Sequence, residues 1–179
     1  MSETPLPSYL VRPATLEDLP AIEEIYNEAG VATTASFDLQ PRTEEEARAW
    51  FLAHGPAYPI FVAEMDGRVV GWASLSPYAA KEAYRYTVED SVYVHRDFRG
   101  RGLGRVLLRT VLEAATGLGY RAVVAKITRG NEASLALHRR AGFVHVGTLI
   151  AVGRKFGRWL DVDFLELLLP EGPNSLLRD

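Results

Sequence analysis

The chain is expected to fold as one α/β (α+β) domain, a mixed and mostly antiparallel sheet with helices on both faces. Three observations carry this expectation. Two β-rich runs, "YPIFVAEM" and "RVVGWASLS", are joined by Asp66-Gly67, the strongest short-range hairpin signal. The segment from Leu103 to Leu118 places Val106, Leu107, Val111, Leu112 and Ala115 near helical spacing. The apolar run "RAVVAKI" follows it at once, as a buried strand beside a crossover helix would. With 179 residues the chain has the size of one domain, 1–179, and buries roughly 70% of its unfolded surface.

In chain order, "SYLVRPA" reads as a short strand. Thr15 and Asp18 then form a capping-box pattern that opens a helix through "LPAIEEIYNEAG", stopped by Gly30. Thr43 and Glu46 repeat the cap ahead of "EARAWFLAHG", where Ala47, Trp50 and Phe51 share one face. After the hairpin, "YTVEDSVYV" alternates as a third antiparallel strand. The helix from Leu103 ends at Gly117 and Gly119, "RAVVAKI" follows, and Asn131 caps "EASLALHRRA" before Gly142. "FVHVGTLIAV" and "RWLDVDFLELLL" close the sheet around "GRKFG", which makes about seven strands and about four helices. "PEGPNSLLRD", 170–179, reads as a loose tail.

Composition excludes several functions. There is no cysteine, which removes disulfides, thiolate metal sites and any acyl-cysteine route. Four scattered histidines predict no metal site. A net charge of -3 opposes a general nucleic-acid surface, because phosphate binding needs clustered cations. No apolar run approaches the ~18 residues of a membrane span. "MSETPLPSYL" has an acid and two prolines where a signal peptide needs positive charge and an apolar core, so the cytoplasm is expected.

A local cluster of arginines therefore needs a local reason. In "VYVHRDFRGRGLGRVLL" a strand must become a helix through Gly100, Gly102 and Gly104, with Arg99, Arg101 and Arg105 around them and Leu103 opening the helix. Glycines admit positive φ and close approach of a ligand. Successive backbone N–H groups beside a helix N-terminus favour an anion, and arginines add charge. A Walker loop would need Gly-Lys-Ser/Thr, and a dinucleotide fingerprint an acid about 20 residues on. Neither is present. A tight turn with solvated arginines is the alternative to a phosphate site.

Arg-Gly-x-Gly-x-Gly between a strand ending "VYV" and an aliphatic helix resembles the acyl-CoA pyrophosphate loop of the GNAT superfamily of N-acetyltransferases. Asn131, Ser134, His138 and "AGF" keep that superfamily's frame for the last helix, with His at the usual Tyr position. "YTVEDSVYV", "SLALHRRAGF", "VGRKFGRWLDVDFLELLL" and "IYNEAGVATTASF" are similar to the phosphinothricin and methionine sulfoximine N-acetyltransferases. The resemblance runs over roughly residues 10 to 169. It implies a GNAT-type sheet, acetyl-CoA as co-substrate without metal, a small amino-acid analogue as acceptor and a homodimer paired through the C-terminal strands. Herbicide or antibiotic resistance is the associated phenotype.

Within that frame the residues take named roles. Glu89, Ser91 and Tyr93 point to one face of their strand, and Glu89 is the candidate general base that takes a proton from the acceptor ammonium, directly or through water. The alternative for Glu89 is a strand carboxylate paired with Lys81 or Arg85. His138 lies one turn from Ser134; with a reference pKa of about 6.5 against about 8.5 for a thiol, it suits proton donation to the departing sulfur, or a second base. A surface histidine is its bland reading. Val92, Tyr93 and Val94 are expected to lend main chain to the pantetheine; Asn131 holds that arm or is only a cap. In the relatives a Lys or Arg often follows an aromatic ahead of the Glu strand, whereas Tyr78 here precedes Ala79, so Lys81 and Arg85 are the substitutes. Thr34, Phe37 and Tyr84 are candidate pocket walls, with Asp90 and Ser91 beside Glu89. Without cysteine, transfer is expected to be direct, in a ternary complex. Acetylation of a peptide or protein N-terminus, and a non-catalytic acyl-CoA-binding module, are the rival readings.

Overall fold

A computed structural model describes residues 9–170. The expected tail past Pro170 lies outside the described residues. Strand β1 (Tyr9–Pro13) is followed by helices α1 (Leu19–Tyr26) and α2 (Glu44–Ala53), then β2 (Ile60–Met65), β3 (Arg68–Pro77) and β4 (Thr87–Val94). Helix α3 (Leu103–Leu118), β5 (Ala122–Thr128), α4 (Glu132–Arg140), β6 (Val144–Lys155) and β7 (Arg158–Leu168) complete the order. The strands form one sheet in the order β1-β2-β3-β4-β5-β7-β6, with β4 and β5 the parallel pair and the other neighbours antiparallel. Parallel neighbours need a crossover, and α3 is that crossover.

Local chemistry accounts for most boundaries. Asp66 and Gly67 turn the β2–β3 hairpin with φ of 49° and 75°, and Phe156 and Gly157 turn β6 into β7 with 51° and 76°. Both pairs have the positive angles that a two-residue hairpin demands. The Thr43 hydroxyl accepts from the Glu46 amide while the Glu46 carboxylate accepts from the Thr43 amide, which starts α2. Two expected stops are corrected. Gly30 does not end the first helix, which continues through a π turn, Asn27–Val31. Gly30 serves close packing instead: a Cβ there would stand 3.0 Å from Tyr26 Cε2 and 3.2 Å from Tyr93 Cε1. Gly117 lies inside α3, and only Gly119, at φ 85°, terminates it.

The sheet separates two apolar layers. On one side Leu103, Leu107, Leu108 and Val111 of α3 and Leu135 of α4 pack on Val88, Val123, Ala125 and Leu165. On the other, Ile22, Ile25 and Tyr26 of α1 pack on Val62 and Trp72, with Trp50 of α2 and Tyr93 at the margin. Alternation along β4 thus sends Val88 and Asp90 towards α3 and α4, and Glu89 and Tyr93 towards α1.

Candidate active site

The parallel ladder between β4 and β5 is short. Thr87, Val88 and Glu89 pair with Ala122, Val123 and Val124, and no further. Beyond Glu89, β4 stays with β3 as far as Val94, and β5 stays with β7 as far as Thr128. The two halves of the sheet therefore part where Asp90 begins. The opening is a cleft of about 860 Å³ walled by both strands, the N-terminal turns of α4, and the segment Thr33–Phe37. It gives ligands access to both faces of the sheet and leaves the β5-facing edge of β4 without a strand partner.

Glu89 stands at the fork. Its Oε2 lies 2.6 Å from Nζ of Lys126, on β5, which also lines the cleft. The sequence reading missed Lys126. Its signal was a lone cation in an apolar strand, two residues past the one paired with Glu89, so that both side chains share a face. Lys81, Tyr84 and Arg85 lie outside the cleft walls, on and beside the 3₁₀ turn Glu82–Tyr84. Tyr84 packs edge-on against Tyr78, and the Arg85 guanidinium lies 4.7 Å from the centre of the Tyr86 ring.

His138 reaches the cleft from the opposite face. It is 4% exposed, with Nδ1 2.8 Å from the Ser134 carbonyl oxygen and Nε2 2.9 Å from Oδ2 of Asp90, itself 7% exposed. Both the carboxylate and the carbonyl can accept a hydrogen bond from the ring nitrogen that faces it. Burial lowers the His138 pKa, but the Asp90 hydrogen bond and charge, with the Ser134 carbonyl, outweigh it and hold the ring above its ordinary value. Asp90, expected beside the acceptor, is bonded to His138 through Oδ2, while its buried Oδ1 has no partner among the described residues.

One end of the cleft is walled by a pinned segment. Lys155 Nζ, buried, donates to the Ser36 carbonyl at 2.7 Å, and the Thr128 hydroxyl donates to the Thr34 carbonyl at 2.6 Å. Tyr26 donates to Asp38 at 2.6 Å, and the ring of Phe37 occupies the notch where Gly153 has no side chain. Burial, followed by the Asp38 bond, raises the Tyr26 hydroxyl to about 12. Thr34, Phe37, Ser91 and Tyr93 all face the cleft.

The glycine-rich connection has the shape expected of an anion site. Gly100 and Gly102 take φ of 75° and 84°, the left-handed region, and neither has another atom within 4 Å of where a Cβ would stand. Gly102 leads directly into Leu103 at the start of α3, whose first amides are free of helical partners. Arg99 and Gly104 line the cleft, as do Val92, Val94, Asn131 and Ser134. The Asn131 side chain accepts from the Ser134 amide and so caps α4. Arg99 Nε donates to the Val94 carbonyl, and Arg101 donates to the Asp97 carbonyl beside Phe98. Arg105 is exposed on α3 outside the cleft. Open space above two left-handed glycines, a helix N-terminus and nearby guanidinium groups fit a pyrophosphate.

Among the described residues, no group of three His, Cys, Asp or Glu side chains is arranged for a metal, and no helix is long and apolar enough to cross a membrane.

Comparison with known proteins agrees with this geometry. The chain is 46% identical over 161 residues to an L-methionine sulfoximine/L-methionine sulfone acetyltransferase of Pseudomonas paraeruginosa, covering 89% of this chain and 94% of that one. It is 42% identical to a phosphinothricin N-acetyltransferase of Alcaligenes faecalis, over 93% and 85% of the two chains. The crystal structure of a GNAT superfamily phosphinothricin acetyltransferase from Sinorhizobium meliloti, in complex with AcCoA, superposes with a TM-score of 0.88 at 38% identity, covering 92% of this chain and 90% of that one. Residues 19–143, which carry the fork, the glycine loop and the Asn131 helix, match the Acetyltransferase (GNAT) family, and the chain belongs to it.

Proposed function

We propose that the chain transfers acetyl from acetyl-CoA to the amine of a small amino-acid analogue of the phosphinothricin, methionine sulfoximine or methionine sulfone type. The observation that carries this reading is the position of Glu89, a carboxylate at the point where β4 and β5 part, between the acceptor wall and the glycine loop. Acetyl-CoA supplies an acetyl group activated as a thioester. Its pyrophosphate is assigned to the amides from Gly100 to Gly104 with Arg99 and Arg101, and its pantetheine to the open edge of Val92–Val94 beside Asn131 and Ser134. Glu89 takes the proton that the acceptor ammonium must lose before it can attack, directly or through water. His138 faces the cleft and is assigned the proton returned to the departing sulfur, given from Nε2 as that nitrogen leaves Asp90, which otherwise keeps the ring oriented. Without cysteine the transfer is direct, in a ternary complex.

Support for a small acceptor over a peptide comes from the wall Thr33–Phe37, pinned by Lys155 and Thr128 across the far end of the cleft. A binding module without catalysis would need neither Glu89 nor the His138–Asp90 pair. The test is Glu89→Gln: turnover at neutral pH should fall by about 10²-fold or more while acetyl-CoA affinity measured by calorimetry stays at the wild-type value. Undiminished turnover would remove Glu89 as the base.

We also propose a homodimer. Strand β6 is an edge of the sheet, and with β7 and the turn between them it exposes Val144, Val146, Ile150, Phe156 and Trp159. A long apolar edge is a template for a second strand, and a second copy offers the same edge in return. Because acetyl-CoA is a cytoplasmic metabolite, the proposal keeps the cytoplasm as the place of action, and resistance to a toxic analogue would be one consequence of the chemistry.

A further inference from the structure

The ion pair of Glu89 and Lys126 has no role in the steps above. Lys126 rises from an otherwise apolar stretch of β5, its Nζ 2.6 Å from Glu89 Oε2 and 5.3 Å from the centre of the Tyr78 ring. Its side chain is 36% exposed and faces the cleft rather than the core. The pair is open to an incoming ligand, and an ion pair this exposed contributes little to stability, so exchanging it costs little.

A cation at this place decides what can approach the base. A bare alkylammonium would bring a second positive charge to Lys126. Like charges a few ångströms apart repel, and more strongly beside a protein surface than in bulk water. An ammonium that carries a carboxylate on the adjacent carbon avoids that cost, because its carboxylate offers Lys126 a partner in place of Glu89. Glu89 and Lys126 together are the inverse of an α-amino acid's zwitterion. Docking one against the other leaves no charge bare.

We infer that Lys126 is the specificity residue for the acceptor's α-carboxylate, an assignment that rests on the amino-acid-analogue reading above. It ties recognition to proton transfer: the carboxylate draws Lys126 towards itself, and Glu89, relieved of its partner, takes the proton of the ammonium that the same substrate presents. An amine without the carboxylate meets Glu89 still paired and Lys126 still repelling.

The assignment is tested on the full chain with two acceptors, L-methionine sulfone and its α-carboxamide, at saturating acetyl-CoA. Because Lys126 also touches Glu89, the readout is the ratio of kcat/KM for acid over amide within each variant, in which any change in the base cancels. Wild type should favour the acid by about tenfold or more, the worth of one hydrogen bond between charged groups. In Lys126→Met the ratio should fall towards one, while Lys126→Arg keeps most of the preference. Acetyl-CoA titrations of all three should agree, since Lys126 stands away from the glycine loop. An acid-over-amide preference that survives intact in Lys126→Met overturns the Lys126 assignment alone. A wild-type enzyme that turns over neither acceptor overturns the amino-acid reading, and the assignment with it.

Discussion

His138 has both ring nitrogens against acceptors, and the Asp90 and Ser134 contacts hold its pKa above the ordinary value despite burial. The sign of its pH dependence follows. A histidine held above its unfolded value of about 6.5 contributes stability that is fully present below that pH and is lost as pH rises through the folded value. Asp90→Asn should therefore destabilise the fold by about 1–3 kcal/mol in acid, and by less in alkali. Urea unfolding at two pH values measures the difference, and an equal cost at both would remove the charged pair. The histidine proton signals should also titrate at lower pH in that variant. Glu89 and Asp90 are neighbours in sequence with opposite duties, because alternation along β4 sends one to each face of the sheet. The motif "VEDSVYV" pointed to Glu89 as a candidate base but did not say that its neighbour Asp90 is bonded to His138.

At the scale of elements, two segments carry distinct risks on mutation. Gly102 holds φ 84° at the entry to α3, so a β-branched residue is strained there whatever space is free. Gly102→Val should weaken acetyl-CoA binding by about five- to thirtyfold in a calorimetric titration, the effect of about 1–2 kcal/mol of misplaced loop. Unchanged affinity would sink the assignment of this loop to the pyrophosphate. Gly153 is a different case, since its place in β6 is occupied by the Phe37 ring. A methyl group there must push the ring out of its notch and disturb the acceptor wall. Gly153→Ala should raise KM for the acceptor several-fold while leaving acetyl-CoA affinity alone; a KM that stays put would show the wall to be independent of this contact.

At the scale of the whole molecule, the terminal hairpin carries an exposed apolar edge. Ile150 and Trp159 are 67% and 66% exposed on the terminal hairpin, a costly arrangement unless another surface covers them. The double variant Ile150→Asp, Trp159→Asp should sediment as a monomer where wild type sediments as a dimer at micromolar concentration. A wild-type monomer under the same conditions would end the dimer proposal.

How much of this could be read in advance depended on range. Hairpin turns at Asp66-Gly67, capping boxes at Thr15 and Thr43 and the helix from Leu103 were legible because each rests on residues within a turn or two of one another. The order of seven strands and four helices followed from them. The two misread stops, Gly30 and Gly117, are glycines whose meaning lies in what packs beside them or in the turn that follows, which no local pattern records. The turn at the glycine loop and the cap of Asn131 on Ser134 were equally legible, because each rests on residues close in sequence.

From the sequence alone came the fold class, the family resemblance, acetyl-CoA as donor and Glu89 and His138 as the residues to examine. Tertiary structure alone decided their partners. Lys126 meets Glu89 because a short parallel ladder aligns Glu89 with Val124, and Asp90 meets His138 because α4 returns over the other face of the sheet. Such pairings depend on register and on where two strands part, and these are set by contacts between residues dozens of positions apart.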